Sequence, residues 1–428
     1  MATANIKPVS EGVITPGARE CSASSTLSSP MFPEVGVIAL VPDEWQLQWQ
    51  PRHQVMTRLA RYFPVLWMNP AEEWRRSFSL SRIFTRREES PGPERGFVVH
   101  TPSAFLPKLY SPRWLAQLSF RKRIEHARAA LLRRGCRKIV LYLWRPEFAP
   151  ALDCIPHDLS CYHIDDEYTF SPVDQPVPEQ ELNLIKKTGV VFIHSPALLQ
   201  KKGKINPCTL FTPNGVDFDL HAQPVSPPSD IADIPYPRIG YSGHIKKQLD
   251  WMLLHELTAR HPELFFVFVG SANAHPEIVG HINELSRRKN VRFLGAKTTR
   301  ELAAYPQHFD VCIMPYARDD YTKYIYPLKL HEYLAGGRPV VGTRIASLEA
   351  FSGVVRLAES VDQWSSALAD SLAAPSNSVE ARAKRQAVAR EHDWFIIVRK
   401  IALALAERLD PHYAAVLREA GVPQVLNS

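Results

Sequence analysis

Short apolar runs alternate with longer mixed stretches along almost the whole chain. In the first half the apolar runs occupy residues 35–41, 63–68, 96–100, 138–144, 159–164, 190–195 and 209–213. A second series occupies residues 238–243, 264–270, 291–295, 311–316, 339–343 and 354–358. Runs of this length are typical of strands buried on both faces of a parallel sheet, with helices between them. The pattern therefore predicts two Rossmann-like, doubly wound α/β domains.

The domain boundaries follow from composition. Residues 1–30 are polar and rich in Ser, Thr and Pro, which indicates a loose tail. A proline-rich segment, 222–237, predicts a linker between an N-terminal domain at 31–221 and a C-terminal domain at 238–393. The apolar helical pattern after residue 393 predicts C-terminal helices, within 394–428, that cross back onto the first domain. Ligands bind beyond the carboxyl ends of parallel strands, so we expect the site in the cleft between the domains.

The composition is that of a soluble globular protein. The chain has 428 residues, 45% of them hydrophobic, and no apolar run approaches the ~18 residues of a membrane span. Its six cysteines are scattered and form no CxxC pair. This predicts reduced thiols in a cytoplasmic protein rather than a disulfide framework or a zinc site.

Positive charge is concentrated in one part of the N-terminal half. Residues 75–145 contain 17 Lys or Arg and four acidic residues. Within them, residues 112–135 predict one amphipathic helix, with an apolar stripe at Phe120, Ile124, Ala127 and Leu131. A solvated basic face is one interpretation. Contact with an anionic membrane surface is the other, since Trp114 and Phe120 accompany the charges. Nucleic acid is not expected as a partner, because no nucleic-acid-binding motif accompanies the charge.

The stretch YPLKLHEYLAGGRPVV, residues 326–341, predicts a short helix that leads into a buried strand. Pro327 suits the first helical position and would leave the amides of Leu328 and Lys329 free. Lys329 is placed in the positively polarised first turn, at a cost of ~0.3–1 kcal/mol, unless an anion binds there. Glu332 follows one turn later and can accept hydrogen bonds from vicinal hydroxyls. The residues alone are equally compatible with a nucleotide diphosphate site and with a surface Lys-Glu pair.

Three segments resemble the donor domain of GT-B glycosyltransferases. They are residues 326–343 and, before them, VRFLGAKTTRELAAYPQHFDVCIMPY and LFTPNGVDFD. The resemblance is closest to glycosyltransferase family 4 and its bacterial surface-polysaccharide members, and it covers roughly residues 196–409. It implies two Rossmann-like domains around a cleft and a nucleotide diphosphate sugar as donor.

The resemblance assigns donor-binding roles by position. It implies that Glu332 holds the ribose, that Lys329 and Lys247 hold the diphosphate, and that Gly243 ends the first strand of the donor domain. After Gly295, the backbone of Ala296 and Lys297 would meet the nucleobase. Two positions differ from the family pattern: Tyr324 replaces a glutamate eight residues before Glu332, and His244 replaces an arginine after Gly243. Both residues, together with Leu328, are still expected to contact the donor.

The first domain must then supply the acceptor site and any acid or base. In CYHIDDEYTF, the side chains of His163, Asp165 and Asp166 are expected to face the cleft at the end of a strand. An acidic pair can serve as general base in an inverting transfer or position the acceptor hydroxyl in a retaining one. A helix-capping aspartate with solvated neighbours is the alternative. A DXD-type metal site is not expected, because lysines and helix amides already provide positive charge.

Together these features predict a metal-independent glycosyltransferase with no cofactor. Its partners would be a nucleotide-sugar donor and a saccharide or polyprenyl-linked acceptor, and it would work in the cytoplasm or on the inner face of the membrane. A GT-B-fold nucleotide-sugar epimerase and a catalytically silent binding protein remain as alternatives.

Overall fold

The computed structural model describes residues 29–46, 49–73, 89–171, 173–272 and 274–420. Within them the chain forms two α/β domains, each built on its own sheet. The architecture of two doubly wound domains expected from the apolar pattern is confirmed.

The first sheet has the strand order β3-β4-β2-β1-β5-β6-β7-β8. All neighbouring strands are parallel except the short edge strand β3, which pairs antiparallel with β4. Its strands are β1 Val35–Leu40, β2 Val65–Met68, β3 Ser90–Pro91, β4 Phe97–His100, β5 Lys138–Leu143, β6 Leu159–Ile164, β7 Val190–Ile193 and β8 Thr209–Phe211. Its helices are α1 Pro51–Leu59, α2 Arg113–Arg133, α3 Glu179–Lys187 and α4 Pro196–Lys202.

The second sheet is parallel throughout, in the order β11-β10-β9-β12-β13-β14. Its strands are β9 Arg238–Ser242, β10 Phe265–Val269, β11 Val291–Phe293, β12 Val311–Met314, β13 Val340–Thr343 and β14 Val355–Ala358. The helices from this half onward are α5 Phe218–Ala222, α6 Trp251–Arg260, α7 Pro276–Leu285, α8 Thr299–Ala304, α9 Leu328–Ala335, α10 Ala346–Glu349, α11 Val361–Leu372, α12 Val379–Glu391, α13 Trp394–Leu409 and α14 Pro411–Glu419. Short 3-10 turns occupy Pro146–Asp153, Gly203–Ile205, Ser229–Ile231, Tyr305–His308, Thr322–Tyr324 and Ala374–Asn377.

Each sheet is covered by an apolar layer on both faces. This double burial explains the continuous apolar strands, because neither face of the sheet meets water. The proline-rich segment is not a free tether, since Ile231 and Ile234 are buried in a core layer of the second domain. The predicted amphipathic helix is α2, which buries Ile124, Ala127 and Leu131 against the first sheet.

The chain crosses between the domains twice, and the two crossings lie side by side. The amide of Val216 donates to the carbonyl of His392 at 2.9 Å, and the amide of Trp394 donates to the carbonyl of Val216 at 2.9 Å. Helix α13 then packs on the first domain, where Trp394, Ile397 and Ile401 join the same core layer as β1. Burial of such side chains contributes roughly 1.5–3 kcal/mol each, so α13 is an integral part of the first domain.

Candidate functional site

Strand β9 of the second domain leads into Gly243, directly beside the side chain of Lys329. Gly243 has a φ of +125°, and a Cβ on it would lie 3.2 Å from the Lys329 Nζ. Its amide donates to the carbonyl of Val269 at 2.8 Å, which fixes the turn. A residue with a side chain would be strained at this φ, so the backbone conformation favours glycine, and a Cβ would also displace the Lys329 ammonium group slightly.

Lys329 lies in the first turn of α9. The helix begins at Leu328, and Pro327 is its N-cap rather than its first helical residue. The helix thus begins one residue later than the sequence predicted. The Lys329 Nζ lies 3.4 Å from the Tyr316 hydroxyl and 4.8 Å from the centre of the Tyr241 ring. Burial lowers the pKa of Lys329, but Tyr241, Tyr316 and Glu332 raise it, and the resulting pKa is above the usual value. Lys329 is therefore a cation at neutral pH, and no carboxylate in the described ranges forms a salt bridge with it.

A second cation, Lys246, lies close to Lys329. Burial and the charge of Lys329 lower the pKa of Lys246, whereas Asp166 of the first domain raises it. His244 is part of the same cluster: its Nδ1 lies 2.8 Å from the Ser271 hydroxyl, and burial, Lys246 and Lys329 lower its pKa. Like charges held together repel each other, and a bound anion would remove that repulsion.

The structure distinguishes two adjacent lysines that the sequence could not separate. Lys247, the residue chosen by resemblance, is exposed, whereas Lys246 is half-buried beside Lys329. The loop that carries both is tied to the loop after β12, because the amide of Asp250 donates to the carbonyl of Pro315 at 2.8 Å. The spacing of residues along the chain carries no signal for which of the two lysines is the more buried.

Glu332 lies one turn deeper than Lys329 on α9. It is half-buried, and no side chain or amide in the described ranges hydrogen-bonds its carboxylate. The next residue, Tyr333, anchors the helix to the sheet, because its hydroxyl accepts a hydrogen bond of 2.8 Å from the Ser242 amide. Lys329 and Glu332 are thus held rigidly beside the end of β9, with their polar groups available to a ligand.

The three residues expected near a nucleobase follow β11. Gly295 has a φ of +73°, and its carbonyl accepts a hydrogen bond of 2.9 Å from the Gly270 amide. Ala296 is exposed. The Lys297 ammonium pairs with Asp230 at 2.7 Å, which leaves only its backbone for a ligand.

In the first domain, Asp165 is held inside an ion-pair network. Its Oδ2 lies 3.0 Å from Arg52, which also pairs with Asp43 at 2.7 Å, and its Oδ1 accepts a hydrogen bond of 2.8 Å from the Tyr168 hydroxyl. Burial raises the pKa of Asp165, but Arg52, His194 and Tyr168 lower it below the usual value. The lowered pKa favours the ionised carboxylate, which Arg52 and Tyr168 hold in place.

His163 does not face the cleft, contrary to expectation. It is part of β6, is 4% exposed and stacks on Trp144 with the ring centres 4.1 Å apart. Its Nδ1 lies 2.8 Å from the Tyr142 hydroxyl. Burial lowers the pKa of His163 to about 3, so the ring is neutral and enclosed. Its side chain points onto one face of the sheet because it lies inside the strand and not after it.

Asp166 is the member of this group that reaches the second domain. Its Oδ2 accepts a hydrogen bond of 3.2 Å from the Tyr321 hydroxyl, and its Oδ1 accepts one of 2.8 Å from the Glu167 amide. Burial and the neighbouring Asp165 charge raise the pKa of Asp166 to about 6. A carboxylate that titrates near neutrality and lies within electrostatic range of Lys246 suits proton transfer in the cleft.

Tyr324, predicted to contact the donor, is directed to the first domain instead. Its hydroxyl donates to Asp174 Oδ1 at 2.7 Å, and the ammonium groups of Lys201 and Lys323 each lie 4.9 Å from its ring centre. Tyr324 is the last residue of the 3-10 turn Thr322–Tyr324, which precedes α9. Tyr324 is 4% exposed and packs on the core layer of the first domain.

Metal clusters and membrane spans are both missing from the part of the chain that the structure describes. Among those residues, no three His, Cys, Asp or Glu side chains are grouped as metal ligands. No helix in the same ranges is long and apolar enough to cross a membrane.

Comparison with known sequences finds one family and one curated relative. The family described as "Glycosyl transferases group 1" matches residues 236–374. A protein described as a putative teichuronic acid biosynthesis glycosyltransferase, TuaH of Bacillus subtilis, is 33% identical over 136 residues. That match covers 31% of this chain and 34% of the relative, so the chain spans about a third of the length of this relative.

Comparison with solved structures covers both domains. Sucrose-phosphate synthase from Thermosynechococcus elongatus has a TM-score of 0.64 at 16% identity, covering 87% of this chain and 98% of that one. HepE of Anabaena, solved with UDP and glucose, has a TM-score of 0.62 at 15% identity, covering 87% of this chain and 100% of that one. These likenesses concern the fold. The chain therefore has the two-domain GT-B fold, and its residues 236–374 match the family described as "Glycosyl transferases group 1".

Proposed function

We propose that this protein transfers a sugar from a nucleotide diphosphate sugar to a hydroxyl of a saccharide or lipid-linked acceptor. The observation that carries the proposal is a pair of ammonium groups: Lys329 in the first turn of α9, and Lys246 in the loop that follows β9. Neither has a carboxylate partner among the described residues, and Asp166 faces them from the first domain. The likeness to TuaH and to HepE, which was solved with UDP and glucose, supports this function and favours a role in surface polysaccharide synthesis.

The donor would bind on the second domain. Its diphosphate would lie between Lys246 and Lys329, with the amides of Leu328 and Lys329 at the helix start. The ribose hydroxyls would donate to the carboxylate of Glu332. The base would lie by the exposed backbone of Ala296.

In the reaction, the acceptor oxygen forms a bond to the anomeric carbon as the bond from that carbon to the diphosphate oxygen breaks. The electron pair leaves on the diphosphate, where Lys246 and Lys329 stabilise the growing charge. The hydroxyl proton passes to Asp166 in an inverting transfer, or to the departing diphosphate in a retaining one. Two lysines and helix amides supply the positive charge, so we propose a reaction that needs no metal.

Calorimetry with uridine, guanosine and thymidine diphosphates tests the donor site. Lys329→Ala and Lys246→Ala should each weaken binding of the preferred nucleotide ~10- to 100-fold, because each removes a charge-assisted contact worth roughly 1.5–3 kcal/mol. Lys247→Ala is the matched control, since it removes the same charge one residue away at an exposed position. Normal nucleotide binding by both Lys246→Ala and Lys329→Ala would overturn the proposed function. If Lys247→Ala weakened nucleotide binding and Lys246→Ala did not, Lys247 would be the diphosphate ligand, as the family resemblance implies.

The two alternatives predict different products. A nucleotide-sugar epimerase would form product from the donor alone, so nucleotide release that depends on an acceptor argues against it. A catalytically silent binding protein would show weak or no nucleotide binding and no release.

We further propose that the acceptor is presented at an anionic membrane surface. The first domain exposes large apolar side chains beside its basic helix α2: Trp114 is 66% exposed, Phe105 is 74% exposed and Tyr110 is 63% exposed. Lys108 and several arginines of α2 accompany them. Aromatic residues among basic ones suit the interface of a membrane that contains anionic lipids.

Cosedimentation with vesicles tests this surface. Binding to phosphatidylglycerol vesicles, absent with phosphatidylcholine vesicles and lost at high salt, is expected. Trp114→Ala should weaken it several-fold. Met252→Ala, which removes a 71% exposed apolar side chain from the second domain, should not. Equal binding to both kinds of vesicle, or to neither, would contradict the membrane proposal without affecting the donor site.

A further inference from the structure

Arg145 presents its guanidinium group on the first-domain side of the cleft. It follows β5 closely, and its guanidinium carbon lies 4.8 Å from the centre of the Tyr168 ring and 5.5 Å from that of Phe170. The residue is half-buried, its Nε is buried without a hydrogen-bond partner, and no described carboxylate forms a salt bridge with it. A guanidinium group is always charged, and this one has no described carboxylate to neutralise it, so it can pair with the anionic group of a ligand.

Phe170, next to Arg145, has an unusual backbone conformation. Its φ is +49°, and no other non-glycine residue in the described part of the chain has a positive φ. Such a conformation costs roughly 1–3 kcal/mol for a bulky side chain. Even so, Phe170 is 52% exposed, so burial of the ring does not offset the strain. Its ring meets that of Tyr168 edge to face, with centres 6.3 Å apart.

Both residues adjoin the proposed reaction centre. The hydroxyl of Tyr168, beneath Arg145, donates to Asp165, the neighbour of Asp166 in the chain. The charge of Arg145 also acts to lower the pKa of both Asp166 and Tyr321, against the larger effect of burial. The guanidinium group is therefore within electrostatic range of the hydrogen bond that joins the two domains. An open aromatic face and a cation without a described carboxylate partner thus flank the carboxylate that would handle the acceptor proton.

We propose that Arg145 and Phe170 form the acceptor subsite, and that it takes a saccharide bearing an anionic group, carboxylate or phosphate. The Phe170 ring stacks on an apolar face of the sugar, and Arg145 binds the anionic group in a bidentate manner. A sugar held between them directs a hydroxyl towards Asp166. The assignment rests on the proposed function, because it is the donor site opposite that makes this ligand an acceptor.

Three soluble probes test the subsite in the full chain without any donor. They are a disaccharide that ends in glucuronate, the neutral disaccharide that ends in glucose, and glucose phosphate, each titrated by calorimetry or by NMR. The wild type should bind at least one anionic probe about tenfold more tightly than the neutral one, since one charge-assisted bidentate contact distinguishes them. The preferred anionic probe identifies carboxylate or phosphate as the group recognised.

Variants separate recognition from a purely structural role. Arg145→Gln should abolish the preference for the anionic probe, Arg145→Lys should retain part of it, and Phe170→Ala should weaken charged and neutral probes alike. UDP binding should stay unchanged in all three, which shows that the second domain is folded. Equal affinity of the wild type for charged and neutral probes, or an unchanged preference in Arg145→Gln, would overturn the subsite. Failure of the proposed function would appear separately, as nucleotide binding that does not depend on Lys246 or Lys329.

Discussion

The hydroxyl of Tyr324 donates to the carboxylate of Asp174 across the interdomain cleft, at 2.7 Å. Asp174 also binds Lys201 of its own domain at 2.7 Å and Lys323 of the second domain at 3.1 Å, and its amide donates to Asp320 at 3.2 Å. These contacts lower the pKa of Asp174 far below its usual value. The loop that leads to α9 is thereby attached to the first domain, as it also is by the contact between Tyr321 and Asp166.

Removal of the Tyr324 hydroxyl should loosen this attachment. We expect Tyr324→Phe to cost about 1 kcal/mol of interdomain stability, because the lost bond involves a charged but partly exposed partner. Single-molecule energy transfer between labels on α2 and α7 should then show a broader distance distribution. Tyr305→Phe is the matched control, since its hydroxyl donates to Asp230 at the same 2.7 Å without joining the domains. Identical distributions for Tyr324→Phe and the wild type would contradict the coupling.

The pKa of Asp166 predicts an acidic limit to activity. If its carboxylate accepts the acceptor proton, turnover should fall as the pH drops through about 6, because the protonated acid cannot accept another proton. Asp166→Asn should lose roughly 10²- to 10⁴-fold in rate and should lack this limb of the pH profile. Asp362→Asn, at a side chain that is 88% exposed, is the control. An active Asp166→Asn with the wild-type profile would exclude Asp166 as the base.

Asp165 should behave differently from its neighbour in a stability measurement. Asp165→Asn leaves the buried Arg52 with Asp43 as its remaining partner, and loss of one member of a buried pair costs about 3–5 kcal/mol. We therefore expect a marked loss in urea unfolding free energy for Asp165→Asn, and a change below about 1 kcal/mol for Asp166→Asn. Equal stability of the two variants would show that Asp165 is not the structural member of the pair.

Gly243 can be tested against a glycine that has space around it. Gly243→Ala should weaken nucleotide binding about tenfold, because the new Cβ would meet the Lys329 side chain and the backbone has a φ of +125°. Gly280 lies in α7, and a Cβ added to it would have no atom within 4 Å. Gly280→Ala should therefore stabilise the fold by roughly 0.5–1 kcal/mol and leave nucleotide binding unchanged. Normal nucleotide binding by Gly243→Ala would contradict the proposal that Lys329, beside Gly243, binds the diphosphate.

Metal independence predicts that excess EDTA leaves turnover unchanged. The physical reason is that Lys246, Lys329 and the helix amides would carry the charge that a divalent cation would otherwise supply. Nucleotide release is measured with and without EDTA, and then after Mg²⁺ or Mn²⁺ is added back. Activity that EDTA abolishes and the added ion restores would show that the reaction uses a metal.

The strands were predictable because their residues are buried on both sides. Each apolar run of the sequence coincides with a strand whose ends agree within two residues, as in β1 and β12. Edge strand β3 was missed, since it is two residues long and exposed. Helix geometry alone placed Lys329 and Glu332 on one face of α9. The family resemblance was needed to prefer a donor site over a surface Lys-Glu pair.

The sequence by itself thus determined the two sheets, the helix α9 and the chemical types of residue at its start, because these depend on local periodicity and on contacts between near neighbours. Only the tertiary structure decided that Lys246 and not Lys247 lies beside Lys329, that Asp166 reaches the second domain while His163 and Asp165 do not, and that Tyr324 binds Asp174. Each of those outcomes depends on contacts between distant segments, most of them across the two domains. Such contacts leave no periodic signal in the chain, so the direction of a single side chain at a loop becomes known only when its distant neighbour is in place.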